Sequence, residues 1–132
     1  MHALVFGLGD ELFAVDTAVT REVVAAPVIS SLPTAPPSVL GLFNLRGEIV
    51  PVFDTAGLLG LPDPGPPTFV VVVETELGPA GLATTALGET AVLGESVADV
   101  DAPGTVGAFA HGRRVVVLLD VPALLEPARA AG

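Results

Sequence analysis

Short apolar blocks separated by turn residues run along the whole chain, and strands of four to seven residues account for them better than helices. Residues 3–6 and 12–15 flank Gly7-Leu-Gly-Asp-Glu11, which predicts a β-hairpin. Residues 19–24 set Val19, Arg21 and Val23 against Thr20, Glu22 and Val24, a half-exposed strand. Residues 27–37 form a Pro- and Ser-containing connection, and 38–42 read as a single helical turn. Residues 49–53 are a strand apolar on both faces, as barrel or sandwich interiors allow, and 69–73 are a strongly β-forming run. Residues 81–84 are the expected hairpin partner of the second, and 87–100 are mixed. Residues 106–110 and 113–119 flank His111-Gly112, read as a two-residue turn. Asp54 and Asp120 each end a strand and can cap a short helix: 55–59, stopped by Gly60, and a final helix with Pro122 in its first turn and Pro127 limiting its length.

The pattern echoes itself. Sliding the chain by 66 positions sets Gly41 on Gly107, Phe43 on Phe109, Val50 on Val116, Asp54 on Asp120 and Leu58-Leu59 on Leu124-Leu125. Upstream, Leu4-Val5-Phe6 falls on Val70-Val71-Val72. The expected architecture is all-β: two similar small β-barrels packed around a shared hydrophobic core, with short helices and a lobe boundary near 62–67.

Composition narrows the function. The 132 residues fit one domain or two very small lobes, and the 51% hydrophobic content allows a substantial core. No apolar run approaches the ~20 residues that span a membrane, and no signal peptide is apparent. The absence of Cys excludes disulfides and thiolate chemistry and makes a cytoplasmic location the default. The net charge of −10, with no Lys, argues against nucleic-acid binding. It suits either steering of a basic partner or simple solubility.

Catalytic chemistry finds little support. Nucleophilic catalysis needs a base beside the nucleophile, and the histidines are His2, near the N-terminus, and His111, in a turn. No His or Cys cluster suggests a metal site. The carboxylates of Asp10, Glu11, Glu74, Glu76, Asp99 and Asp101 read as solvated charge, and Gly7-Leu8-Gly9 lacks the remainder of a phosphate loop. Asp54 and Asp120 repeat at the constant offset, so they read as helix caps rather than site residues. Glu22 and Arg46 do not repeat: the second copy carries Gly88 and Ala110-His-Gly-Arg113 in place of Glu22 and Asn44-Leu-Arg-Gly47. A device needed by the barrel itself should recur in both halves. The pair therefore reads as part of a partner surface, against the plainer reading of a salt bridge that fixes a loop.

The stretch Asn44-Leu-Arg-Gly-Glu-Ile-Val-Pro-Val-Phe-Asp54 resembles the signature of the CheW-like domain. Phe13-Ala-Val-Asp16 ahead of Glu22-Val23, Pro37-Ser-Val-Leu-Gly41, and the segments from Val106 to Asp120 and Leu124-Leu125 extend the likeness to nearly the whole chain, 1–132, as a single domain. The resemblance implies two SH3-like five-stranded β-barrels, no enzymatic activity and no cofactor. It implies an adaptor that binds the regulatory domain of a CheA-type histidine kinase and the cytoplasmic tip of chemoreceptors, recruited to membrane receptor arrays without inserting in the membrane. Carried over by position, Glu22 and Arg46 match the charged pair of these contacts, and Asn44, Leu45 and Gly47 complete the motif. Val23, Leu45 and Ile49 are the expected apolar anchors beside them. Residues 82–86 lack the Val-Asp element common in the family's second barrel, and the chain reads as nearly a bare domain. Other outcomes consistent with the residues are an assembly module for a chemosensory system with another output, such as surface motility, and a small β-barrel enzyme or ligand-binding protein using a carboxylate.

Overall fold

Strand Phe69–Thr75 shows how the double-sided apolar pattern is used. Val70 and Val72 enter one hydrophobic cluster and Val71 and Val73 another, and all four are fully buried. Because successive side chains point to opposite faces of a strand, a strand buried on both sides must be apolar at every position. The computed structural model describes residues 1–131. In chain order its elements are β1 (His2–Leu8), β2 (Glu11–Asp16), a 3-10 turn (Thr17–Val19), β3 (Thr20–Ala25), β4 (Val39–Leu45), β5 (Glu48–Phe53), α1 (Thr55–Leu58), β6 (Phe69–Thr75), β7 (Gly78–Thr84), β8 (Ala86–Val92), β9 (Ser96–Ala98), β10 (Thr105–His111), β11 (Arg114–Leu119) and α2 (Val121–Ala131).

The strands form two sheets, ordered β8-β1-β2-β11-β10-β9 and β3-β6-β7-β5-β4. Each curls toward closure at its ends. In the six-stranded sheet the chain passes from β8 through Leu93–Glu95 into β9, which pairs with β10. In the five-stranded sheet Ser30, downstream of β3, forms a bridge with Leu42 of β4. Three apolar clusters result. One lies inside each barrel, around Val50 and Val52 or around Val116 and Leu118. The third lies between the barrels, where Phe6, Phe13, Val71 and Leu82 meet α1 and α2 through Ala56, Leu124 and Leu125.

The internal echo is structural. β4 pairs with β5 as Gly41↔Val52, Phe43↔Val50 and Leu45↔Glu48. β10 pairs with β11 as Gly107↔Leu118, Phe109↔Val116 and His111↔Arg114, the same register 66 positions later, with a bulge at the same place. Asp54 Oδ1 accepts from the Gly57 N–H at 3.1 Å and Asp120 Oδ1 from the Ala123 N–H at 3.3 Å, so both aspartates cap helices as expected.

Several expectations are corrected. The two sheets do not divide the chain at 62–67. The hairpin β1–β2 joins a sheet otherwise built from the second half, and β6–β7 joins one otherwise built from the first. The counts are six and five strands, the extra one being the three-residue β9. Residues 38–42 are not a helical turn, because β4 runs through Val39–Leu45 on the strength of its pairing with β5 and Ser30. The turn of the last hairpin is Gly112-Arg113, since His111 pairs with Arg114. Pro127 does not limit α2, which runs past it: Leu124, Leu125 and Ala128 are buried on either side, and Arg129 donates to Thr75 Oγ1 at 2.9 Å.

Candidate functional site

The tip of the β4–β5 hairpin is a two-residue loop, Arg46-Gly47, with φ of 50° and 89°. Two successive positive φ values match the right-handed twist of flanking strands, and the first position normally goes to Asn, Asp or Gly. Arg46 occupies it at a backbone cost that Gly112, its counterpart at φ 61°, avoids. Asn44 steadies the loop, its Oδ1 accepting from the Gly47 N–H at 2.7 Å. The turn holds the Arg46 side chain out in solvent, where its Nη1 and Nη2 donate to Oε1 and Oε2 of Glu22 at 3.0 and 2.5 Å. This two-pronged geometry is what a planar guanidinium offers a carboxylate.

Glu22 reaches that position through an irregularity in β3. The pairing of β3 with β6 shifts between Thr20 and Glu22, which breaks the expected strict alternation along 19–24. As a result Arg21 and Glu22 lie on the same surface. Arg21 Nη1 sits 2.7 Å from Glu48 Oε1 and 3.3 Å from Glu74 Oε1, and its Nε lies 3.9 Å from Glu22 Oε2. Two guanidinium groups thus share three carboxylates, leaving the cluster one charge negative. The hydrogen bonds from Arg46, then its charge and that of Arg21, hold the Glu22 carboxyl below its ordinary value. The bonds to Glu22 and Glu48 raise Arg46 and Arg21 further above theirs. A depressed carboxylate is the opposite of what a general acid needs at neutral pH.

These charges are solvated, the Arg46 side chain being 67% exposed, so they contribute little to holding the fold. Beside them lies a groove of about 590 Å³, lined by Val24, Pro27, Val28, Phe43, Asn44, Leu45 and Ile49 among others. Val28 at its rim is 87% exposed and Ile49 is 56% exposed. Of the three expected anchors, Ile49 alone faces solvent. Leu45 is buried inside the barrel, and Val23 packs half-buried against the core between the barrels. Sequence reasoning missed Glu48 and Glu74 as members of the cluster and Val28 as its apolar neighbour. Glu48, directly after the turn, was the detectable one; a Val following a Pro carries no such signal.

The residues matched by the model of the CheW-like domain are 2–129. A probable chemotaxis protein CheW from Rhizobium etli is 25% identical over 134 aligned positions, covering 93% of this chain and 86% of that one. The chemotaxis protein CheW of Treponema pallidum is 41% identical over 49 positions, 37% of this chain and 29% of its own. The crystal structure of the scaffolding protein TtCheW from Thermoanaerobacter tengcongensis superimposes with a TM-score of 0.83 at 25% identity, covering 95% of this chain and 92% of that one. The chain belongs to the CheW-like domain family. It is a scaffolding protein of chemosensory signalling and not an enzyme.

Proposed function

We propose that this CheW-like scaffold works in the cytoplasm, joins the cytoplasmic tip of a chemoreceptor to the regulatory domain of a CheA-type histidine kinase, and uses the Glu22–Arg46 surface for one of these contacts. The observation that carries the placement is the asymmetry between two hairpins paired in the same register. The pairing, the bulge and the helix cap recur, whereas the charged cluster is confined to one copy. Arg46 also accepts an unfavourable backbone conformation to display its side chain. Asn44 and Gly47 shape the turn, and Ile49 adds apolar surface beside it. Leu45 and Val23 serve the site from within, as packing under the turn and the strand.

Arg46→Glu sets two carboxylates against each other where a bonded pair stood. The fold should persist, because the pair is solvated, while affinity for the kinase regulatory domain or for receptor tips should fall by at least about tenfold, the range for losing an interfacial Arg anchor. Undiminished capture of both partners by a variant with an unchanged circular dichroism spectrum would remove Glu22 and Arg46 from the interface.

A further inference from the structure

The backbone of Asn44 is an open rung next to the Ser30–Leu42 bridge that brings the two edges of the five-stranded sheet together. Ser30 and Leu42 exchange both hydrogen bonds, at 2.8 and 2.9 Å, so the polar groups of Leu42 face away from β5. Opposite Leu42 stands Pro51, which has no N–H to give. In an antiparallel pair, residues two apart direct their N–H and C=O to the same side. Asn44 therefore also presents both groups to the free edge of β4, and among the described residues neither group has a partner beyond its own strand pair. Its side chain is committed to the turn.

The sister barrel shows the same rung filled. Ala110, 66 positions on, donates its N–H to Glu95 O and accepts from the Gly94 N–H, both at 3.0 Å. Just before this rung Leu93 drops into the barrel interior, where it is buried with Val116 and Leu118. In the five-stranded barrel the residue matching Leu93 is Ala26, whose N–H donates to Thr68 O as that of Leu93 does to Met1 O. Ala26 has a short side chain in place of leucine and a φ of 44°, a left-handed kink after which the chain rejoins β4 only at Ser30. The groove beside Phe43, Leu45 and Ile49 lies where the sister barrel holds Leu93-Gly94-Glu95.

We propose that the edge of β4 at Asn44 takes an extended segment of a partner protein by strand addition, with a leucine-class side chain seated in the groove and basic residues set against Glu22 and Glu48. The extended form follows from the unpaired N–H and C=O, which a helix has no free backbone groups to satisfy. The aliphatic side chain follows from what fills the sister barrel. The basic flanks follow from the extra carboxylate in the adjoining cluster and a chain charge of −10. This inference stands whether or not Arg46 contacts kinase or receptor.

The test uses the full chain, labelled for NMR, and a capped peptide Lys-Val-Leu-Gly-Lys-Ser-Val that keeps the Leu-Gly of the filled rung. Saturating peptide should slow hydrogen exchange of the Asn44 amide by at least about tenfold. Methylating alternate amide nitrogens of the peptide should weaken binding by about tenfold for the set facing β4 and leave the other set unaffected, because a strand turns only every second amide toward its neighbour. Val28→Asp, at an exposed loop position, should weaken binding similarly. Unchanged exchange at Asn44 with millimolar peptide overturns the proposal. So does equal binding by both methylated sets, and so does a helical bound peptide that shifts Val28 and Ile49 methyl signals while leaving the Asn44 amide unprotected.

Discussion

The β4–β5 and β10–β11 hairpins pair in the same register and differ at their tips. Arg46-Gly47 in one becomes Gly112-Arg113 in the other and Glu48 becomes Arg114, while the neighbouring strand, which matches at an offset of 67, sets Gly88 against Arg21 and Glu89 against Glu22, correcting the expected match of Glu22 with Gly88. Arg114 no longer joins a carboxylate cluster; its Nη2 donates to the Asp10 carbonyl at 2.8 Å. Positions that build a barrel keep their chemistry across the duplication, and positions freed from that duty diverge. The difference between the copies separates framework from surface using this molecule alone.

The most damaging change should be one that strikes what the barrels share. Phe6 is fully buried between them, its ring centroid 6.4 Å from that of Phe13. Phe6→Ala should cost about 3–5 kcal/mol, as deletion of a buried ring does. Urea unfolding followed by NMR should show signals from both barrels disappearing in one transition. Two separate midpoints would mean that the barrels are energetically independent and the comparison is between two domains.

A smaller effect of opposite sign is expected at Thr55, the first residue of α1. Its Oγ1 is buried with no hydrogen-bond partner among the described residues, and its counterpart 66 positions on, Val121, is buried in the shared cluster. The second copy shows that the isosteric hydrocarbon fits. Thr55→Val should stabilise by about 1 kcal/mol, the order of an unsatisfied buried hydroxyl. Loss of stability in thermal unfolding would show that the two helix starts are not equivalent.

The slightest effect is electrostatic. Glu22 titrates below its ordinary value in the folded chain, so its contribution is present above the unfolded-state pKa and is lost as pH falls through the folded one. Stability of the native chain and of Glu22→Gln should differ most near neutral pH and converge in acid, and added salt should narrow the gap. A gap that widens on acidification would assign the shift to another group.

Much of this was legible because it is local. Hairpins, caps and the 66-residue echo rest on neighbouring residues, and the sequence pattern carries them. The echo nonetheless slipped by one position upstream. Leu4 and Phe6 share the inter-barrel cluster with Val71 and Val73, so they match at an offset of 67, and the uninterrupted valines of β6 hid the slip. The helical turn expected at 38–42 failed because the prolines before it imitate a helix start, while the deciding partners, β5 and Ser30, lie elsewhere in the chain. Which sheet each hairpin joins depends on the parallel pairs β2–β11 and β5–β7, long-range contacts that no local pattern encodes. At the site, Arg46 was readable because its turn fails to repeat, whereas Glu22 stood out only at the offset of 66, since the 67-residue match of β3 with β8 sets it on Glu89. The shift in β3 that adds Arg21 was not, since a bulge leaves no trace in an alternating pattern.

The exchange of hairpins between sheets also has a cost in time. The β1–β2 hairpin leaves the ribosome well before its neighbour β11, which lies roughly 100 residues further along, a delay of about 5–20 s at ordinary synthesis rates. Until then the face carrying Ala3, Val5 and Ala14 lacks the cover of Val116 and Leu118. A nascent chain of this design is exposed to premature association throughout its own synthesis, and slowing translation should lower its soluble yield more than that of a protein whose barrels each close from consecutive strands.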